Sequence, residues 1–252
     1  MDALKEYFSN IRAILERVES TQYGVMRAAA ERLCRATLEN KNIFAFGCSH
    51  AGLLALELYY RTGGMATINP IRAPGLNCDI DPATMTSQME RLPGYGRIIA
   101  DNQPMGAGDV LIIHSVSGRN TVTIDLAARA AELGVFILAL TNLETATRQK
   151  SRHPSGKSLH HLADIVIDNC GCLGDSSLDI PGVAEKVAPT STAAGAAILN
   201  AIMAQAVALI AEAGAEPPVF ISANLEGGDE HNREMLSKYG EHVFYMGHKK
   251  KG

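Results

Sequence analysis

Over the first 40 residues the apolar positions step by three and four. Leu4, Phe8, Ile11, Leu15 and Val18 make one stripe; after Gly24, Met26, Ala29, Ala30, Leu33 and Leu38 make another. That period belongs to amphipathic helices, and the glycine between the stripes predicts an N-terminal helical pair over residues 1–40. The period then changes. "NIFAFG" (42–47), "MATINPI" (65–71), "DVLIIHSV" (109–116), "VFILALTN" (135–142) and "DIVIDN" (164–169) are short and apolar throughout, as strands covered on both faces should be. Helical segments separate them: "AGLLALELYYR" follows the first, and "TVTIDLAARAAEL" follows the third and ends at Gly134, a suitable C′ glycine. Strand, helix, strand at this spacing predicts right-handed crossovers, a parallel sheet and an α/β fold. Residues 72–104, with a short helix around Met85–Leu92 before "PGYG", and residues 143–160 fit the alternation least. Long insertions at the strand ends of an open sheet are often functional.

The run "AAGAAILNAIMAQAVALIAEA", Ala193–Ala213, is long enough to span a bilayer. Asn200 and Gln205 interrupt it and alanine dominates it, so a buried, tightly packed helix is expected. With 252 residues, 46% hydrophobic and 20% charged, the chain suits one domain with a full-sized core. A net charge of -4 and a pI of about 6.1 argue against general affinity for nucleic acid or acidic membranes. The terminal "HKKKG" is expected to be a solvated tail. Five cysteines, an odd count, and an opening "MDALKEYFSN" without an apolar h-region predict a cytoplasmic protein with reduced thiols. Cys170 and Cys172 have no second cluster at zinc spacing and are expected to be ordinary thiols.

In open α/β sheets ligands bind beyond the carboxyl ends of the strands. "GCSHAG" (47–52) follows the first strand and "HSVSGRNT" (114–121) the third. Each joins a strand to a helix start, where free N–H groups and the helix dipole favour anions. The first lacks the inner glycine of a dinucleotide fingerprint, neither ends in G-K-[ST], and "SVSGR" lacks the leading glycine of a nucleophile elbow. One serine-rich loop alone reads as a helix cap. Two at neighbouring strand ends predict a phosphate cradle built from Ser49, His50, Ser115, Ser117 and Gly118. Arg119 has two readings, charge for the phosphate or a side chain in water. His114 sits beside the same loops; His153, His160 and His161 are expected to be structural.

The spacing of "GCSHAG" to "GDVLIIHSVSGRNT" resembles the sugar isomerase (SIS) phosphosugar-binding domain family. Its pattern is G-x-[GS]-x-S at the first strand end, then D-x-x-[IL]-x-x-S-x-S-G-x-[ST]. Ser49 matches the first-loop serine, and Ser115 and Ser117 the pair; Asn120 stands at the Thr/Ser position, keeping a polar cap without the hydroxyl. "VAPTSTAAGAAILNAIMAQA" (187–206) resembles the helix start of arabinose 5-phosphate isomerases, which adds Thr190 and Ser191 to the substrate-binding candidates. The resemblance covers about residues 5–215, and the whole chain is similar to a bacterial group of SIS phosphosugar-binding proteins. It implies a three-layer αβα sandwich with a five-stranded parallel sheet in flavodoxin-like order. It implies one domain, with N-terminal helices (1–40), a core (41–215) and a C-terminal extension (216–252) contributing to the site. It also implies a homodimer or homotetramer, a phosphorylated sugar as ligand, and no metal or other cofactor.

Aldose–ketose isomerisation needs a base for the proton beside the carbonyl and an acid–base pair for ring opening. Glu57, in an apolar helix, is one candidate if desolvation raises its pKa; the alternative is an i,i+4 pair with Arg61. The base of a phosphoheptose isomerase falls two positions further on, at Tyr59 here. Glu185, just before "KVAPTST", either lies in a loop feeding the site or is a surface charge paired with Lys186. "NLEGGDEHN" (224–232) offers His231, placed near the histidine of the arabinose 5-phosphate isomerases, where Asn224 departs from the pattern. The spacing of Asp229, Glu230 and His231 is not diagnostic of a metal site. The expected activity is a phosphosugar isomerase. An amino-sugar phosphate lyase or etherase, and a non-catalytic phosphosugar sensor, are the alternatives. Residues 1–40 are too short and too weakly basic for a DNA-binding helix-turn-helix.

Overall fold

The five apolar runs pair into one parallel sheet: β1 (Ile43–Gly47), β2 (Ile68–Pro70), β3 (Val110–His114), β4 (Phe136–Thr141) and β5 (Ile165–Asp168), in the order β2-β1-β3-β4-β5. This is the flavodoxin-like order, whose direction of winding reverses between β1 and β3. The computed structural model describes residues 1–246, and the "HKKKG" run lies outside them. Because strand side chains alternate between faces, each strand serves two cores. Ile43, Ala45, Val110, Ile112, Leu138 and Leu140 pack on α1 (Ala3–Leu38), α2 (Leu53–Leu58) and, across the later chain, the 22-residue helix Ser191–Glu212. Phe44, Phe46, Leu111, Ile113, Ile137 and Ala139 pack on the other side. There α3 (Thr84–Met89) leads into α4 (Tyr95–Asp101), which lies on α5 (Thr121–Glu132). The result is the expected three-layer sandwich.

The helical pair is instead one helix of 36 residues, α1, running through Gly24. A glycine inside a helix costs about 1 kcal/mol relative to alanine. Val18 on one side of it and Ala29, Ala30 and Leu33 on the other are buried in the same core. Each large apolar side chain so buried contributes about 1.5–3 kcal/mol, so packing overrides the break. The helix after β1 is shorter than expected: α2 ends at Leu58, with Tyr59 extended and Tyr60 at φ +44°. The two insertions hold helices that the hydrophobic period did not show, α4 and α6 (Leu143–Arg148). An antiparallel hairpin, β6 (Ser176–Leu178) with β7 (Val187–Pro189), leads into the helix Ser191–Glu212, hereafter α7.

"NLEGGDEHN" forms the approach to and first turn of α8 (Gly228–Tyr239). The C-terminal extension closes the β2 edge, which would otherwise offer unpaired backbone groups. Ala66 N–H donates to Pro218 O (2.6 Å) and Phe220 N–H to Gly64 O (3.1 Å). The Asn69 amide donates to His242 O (2.9 Å) and accepts from Phe244 N–H (2.8 Å), while Phe244 stacks on Phe44 at 5.8 Å. His242 also lies 2.9 Å from Asn42, just before β1, so the extension ends at the amino end of the sheet.

Gly24 has open space where a Cβ would stand. Gly24→Ala is therefore expected to stabilise the fold by about 0.5–1 kcal/mol, read as a higher urea midpoint at unchanged slope. A lower midpoint would mean that the glycine serves the fold in some way other than tolerance.

Candidate functional site

The register sets Gly47 opposite His114 and His114 opposite Leu140, so β1, β3 and β4 end nearly level and their following loops lie side by side. A Cβ on Gly47 would fall 2.4 Å from Ala51 O; only glycine lets the Ser49–Gly52 turn fold back onto the strand end. Ser49 adopts φ +56° and donates its N–H to Leu76 O at 2.7 Å. Ala51 O then accepts from Nδ1 of the buried His114 at 3.1 Å. That bond fixes the tautomer, with Nε2 buried and lacking a partner among the described residues.

The second loop is tied down on its inner side. Ser115 Oγ accepts from Gly118 N–H (3.2 Å), and Thr141 Oγ1 donates to the carbonyls of Ser115 (2.7 Å) and Val116 (3.1 Å). Gly118, at φ +59°, turns the chain into α5. The outer side is open. The Ser117 hydroxyl and the N–H groups of Ser117, Arg119, Asn120 and Thr121 have no hydrogen-bond partner among the described residues. Free donors and the dipole of a 12-residue helix thus converge at one point.

The insertions bring arginines to that point. Arg152 donates its N–H to Arg119 O (3.0 Å) and its Nη1 to Asn120 Oδ1 (2.7 Å). Burial, then the charges of Arg91 and Arg119, hold the Arg152 guanidinium below its ordinary value; Glu90 acts the other way. Three cations therefore share this corner with one acid. Asn120 occupies the N-cap position of α5, but its side chain makes no cap bond and turns to Arg152 instead. Arg119 donates its Nη1 to Gln149 at 2.6 Å, and its Nε is buried without a partner among the described residues. Burial pushes the Glu90 carboxyl above the usual carboxylate range, against the pull of the Asn120 amide and the Arg91 and Arg152 cations. On the first-loop side, burial and the Glu90 charge push the Cys48 thiol up to about 12, so it stays protonated.

The other candidates are placed differently. Thr190 and Ser191 start α7, but Asp175 takes their donors: its carboxylate accepts from Thr190 N–H (3.1 Å), Ser191 N–H (2.7 Å) and Ser191 Oγ (2.6 Å). Glu57 is not desolvated as a base requires. It pairs with Arg61, accepts from the Asn200 amide at 3.1 Å and has a side chain 35% exposed. Asn200 lies nine residues into α7, so Glu57, on α2, is held to the side of that helix. Glu185 is exposed on the β6–β7 connection, and Lys186 pairs with Asp179 (3.0 Å) rather than with it. His231 donates Nε2 to Val219 O (2.9 Å), and Val219 bridges Met65 before β2, so within one chain His231 lies away from both loops. His50 is exposed, its Nδ1 3.7 Å from Cys78 Sγ; Ser49 Oγ is also 3.7 Å from that sulfur. His153 bridges Asp125 (2.9 Å) and Ser155 (2.7 Å), and His161 accepts from Ser158 N–H (3.0 Å), both local structural roles. Arg91, Arg152, Glu90 and Asp175 were missed by the motif-based reading. The first three lie in the insertions that broke the strand–helix alternation, which was their one signal.

The SIS domain family profile matches residues 6–142. A UPF0309 protein of Shouchella clausii is 42% identical over 246 residues, 98% of this chain and all of that one. Another, of Streptomyces coelicolor, is 38% identical over 92% of this chain and 93% of its own length. Among solved structures, a phosphoheptose isomerase from Francisella tularensis is similar with a TM-score of 0.52 at 13% identity, over 84% of this chain and 97% of that one. One from Neisseria gonorrhoeae has a TM-score of 0.51 at 15% identity, over 83% and 98%. At such identities the likeness is one of fold.

His114 enters the fold neutral. Burial pushes its imidazole down to about 4, against about 6.5 for an unfolded chain. Below 6.5 the unfolded chain takes up a proton that the folded one refuses, so stability is complete above that pH and falls toward pH 4, by on the order of 3 kcal/mol. His114→Asn, which keeps an amide donor near the Nδ1 position, should flatten this part of the profile. Urea titrations at pH 7 and pH 4.5 check it, and equal losses in both proteins would assign the acid sensitivity elsewhere.

Proposed function

The chain belongs to the SIS domain family and groups there with the UPF0309 proteins, and we propose that it binds a phosphorylated sugar and interconverts its aldose and ketose forms. The observation that carries the binding is the corner at the start of α5, where open backbone donors and the Ser117 hydroxyl meet Arg91, Arg119 and Arg152. Arginine suits this task because its planar fork offers paired donors to phosphate oxygens and keeps its charge when partly buried. Three arginines against Glu90 leave two positive charges, the complement of a phosphate monoester carrying -1.5 to -2. The sugar attached to such a phosphate extends across the strand ends toward Cys48 and Ser49. Neutral sugars lack the group that this corner selects.

Isomerisation is the finer part of the proposal and rests on the cleft holding a desolvated carboxyl beside the phosphate corner. The family resemblance supports assembly as a homo-oligomer. A groove of about 350 Å³ between α1 and α7, lined by Leu15, Val18, Tyr23, Met26, Ala197 and Ala201, is a face such pairing would use. Five free cysteines agree with a place in the reducing cytoplasm.

Sugar phosphates and inorganic phosphate are expected to raise the melting temperature, and unphosphorylated sugars at the same concentration are not. Ser117→Ala removes one neutral donor and should weaken phosphate binding about threefold to tenfold. Arg152→Ala removes a charged one and should weaken it about tenfold to a hundredfold. Equal shifts with neutral sugars, or none with any phosphate compound across pentose, hexose, heptose and amino-sugar phosphates, would refute the phosphosugar assignment.

A further inference from the structure

We infer that Glu90 is the catalytic residue that moves the proton between C2 and C1 of the bound sugar phosphate, an inference that rests on the phosphosugar reading of the same site. Glu90 follows α3, in an insertion that resembles no motif, yet it is held firmly. Its carbonyl accepts from Val122 N–H (3.1 Å) in the first turn of α5. Gly94 N–H donates to Asp125 Oδ2 at 2.6 Å, one turn further along. Gly96 permits the closest approach, since a Cβ there would fall 2.0 Å from Val122 O. Three anchors thus fix residues 90–96 to the helix whose N-terminus faces the phosphate corner.

The carboxylate's neighbours locate it further. Asn120, Arg91 and Arg152 act on it from the phosphate side, and it acts on the Cys48 thiol at the end of β1. With its carbonyl bound to Val122 N–H, Glu90 stands beside the first turn of α5, where a sugar anchored by its phosphate at that helix start would lie. It is not consumed as a counter-ion, because the bound phosphate supplies the charge that three arginines require. A phosphate dianion arriving beside it also disfavours the carboxylate, and so raises its affinity for a proton during turnover. Glu57 is paired with Arg61 and Asn200, Glu185 lies on the exposed hairpin connection, and His231 lies at the β2 edge. Of these four, Glu90 is the one whose backbone is bound to the first turn of α5.

The proton step balances without a co-reactant. In the open-chain aldose phosphate, the Glu90 carboxylate takes the C2 proton. The C–H electron pair becomes the C1=C2 bond of an enediolate as the carbonyl π electrons move to O1, and the O2 proton passes to O1, which moves the negative charge to O2. The O2 electron pair then forms the C2 carbonyl, the C1=C2 pair takes the proton from the Glu90 carboxylic acid at C1, and the ketose results.

The test uses the full-length protein with inorganic phosphate and with ribose 5-phosphate, fructose 6-phosphate, sedoheptulose 7-phosphate and glucosamine 6-phosphate. In D2O the wild type is expected to exchange the C2 hydrogen of at least one sugar, followed by NMR. Glu90→Gln should keep the phosphate-induced rise in melting temperature and lose exchange by about a hundredfold or more, with Glu90→Asp falling between. A second measurement needs no turnover: the carbon-13 titration of the Glu90 carboxyl, assigned by its absence in Glu90→Gln, should move to higher pH when inorganic phosphate saturates the wild type. Exchange at the wild-type rate in Glu90→Gln, or a titration that phosphate leaves in place, overturns the assignment. Phosphate compounds that bind but never exchange in the wild type overturn it too and leave the binding reading intact. Absence of binding by any phosphate compound refutes both.

Discussion

The site depends on where β1 and β3 stop. A parallel sheet sends every loop after a strand out at the same edge, and the pairing of Gly47 with His114 makes two of those loops begin level. Gly47 adds the second condition, because any side chain there would strike Ala51 and push the Ser49–Gly52 turn away from the strand end. With the turn in place, Ala51 O meets His114 Nδ1 and ties the first loop to the strand that launches the second. Both loops are then set by backbone geometry and one buried imidazole, before any ligand-facing side chain is considered.

Charge is added from elsewhere in the chain. The loop Ser115–Asn120 carries donors and one arginine whose guanidinium is turned to Gln149. Arg91 comes from the connection between α3 and α4, and Arg152 from the insertion after α6. Arg152 is anchored twice, through its own N–H to Arg119 and its guanidinium to Asn120. Burial, and after it the charges of Arg91 and Arg119, lower the proton affinity of Arg152. Concentrated positive charge at a helix N-terminus is unfavourable for the helix itself.

The hydrophobic period was sufficient for the sheet, because strands buried on both faces are apolar throughout, and the motif spacing was sufficient for the loops that follow β1 and β3. It misjudged Gly24, where packing of Val18 and Leu33 in one core outweighed a local preference. It could not show α4 or α6, which are only seven and six residues long and too short for a stripe to repeat. Glu90, Arg91 and Arg152 were illegible for a related reason. Their place depends on tertiary clamps such as Gly96 against Val122, and no local pattern encodes a contact between segments 26 residues apart. The candidate acids chosen from sequence were judged by neighbours along the chain. For Glu57 the alternative read from the sequence, the i,i+4 pair with Arg61, is the one that forms, and the long-range partner Asn200 is what the sequence could not show.

The chain also distinguishes two helix starts that the sequence made equivalent. Both α5 and α7 follow a small polar stretch, and both expose donors that favour an anion. At α7 the anion is internal: Asp175, held at φ +70°, accepts from Thr190 and Ser191 and leaves that end neutralised. At α5 the polar residue in the equivalent position is Asn120, which has no charge to give, makes no cap bond and points at Arg152. A structural cap is therefore an acid supplied by the fold, whereas a ligand site is a start at which the fold withholds one and gathers cations. By that criterion the start of α7 is capped from within the chain by Asp175, and the start of α5 is left open.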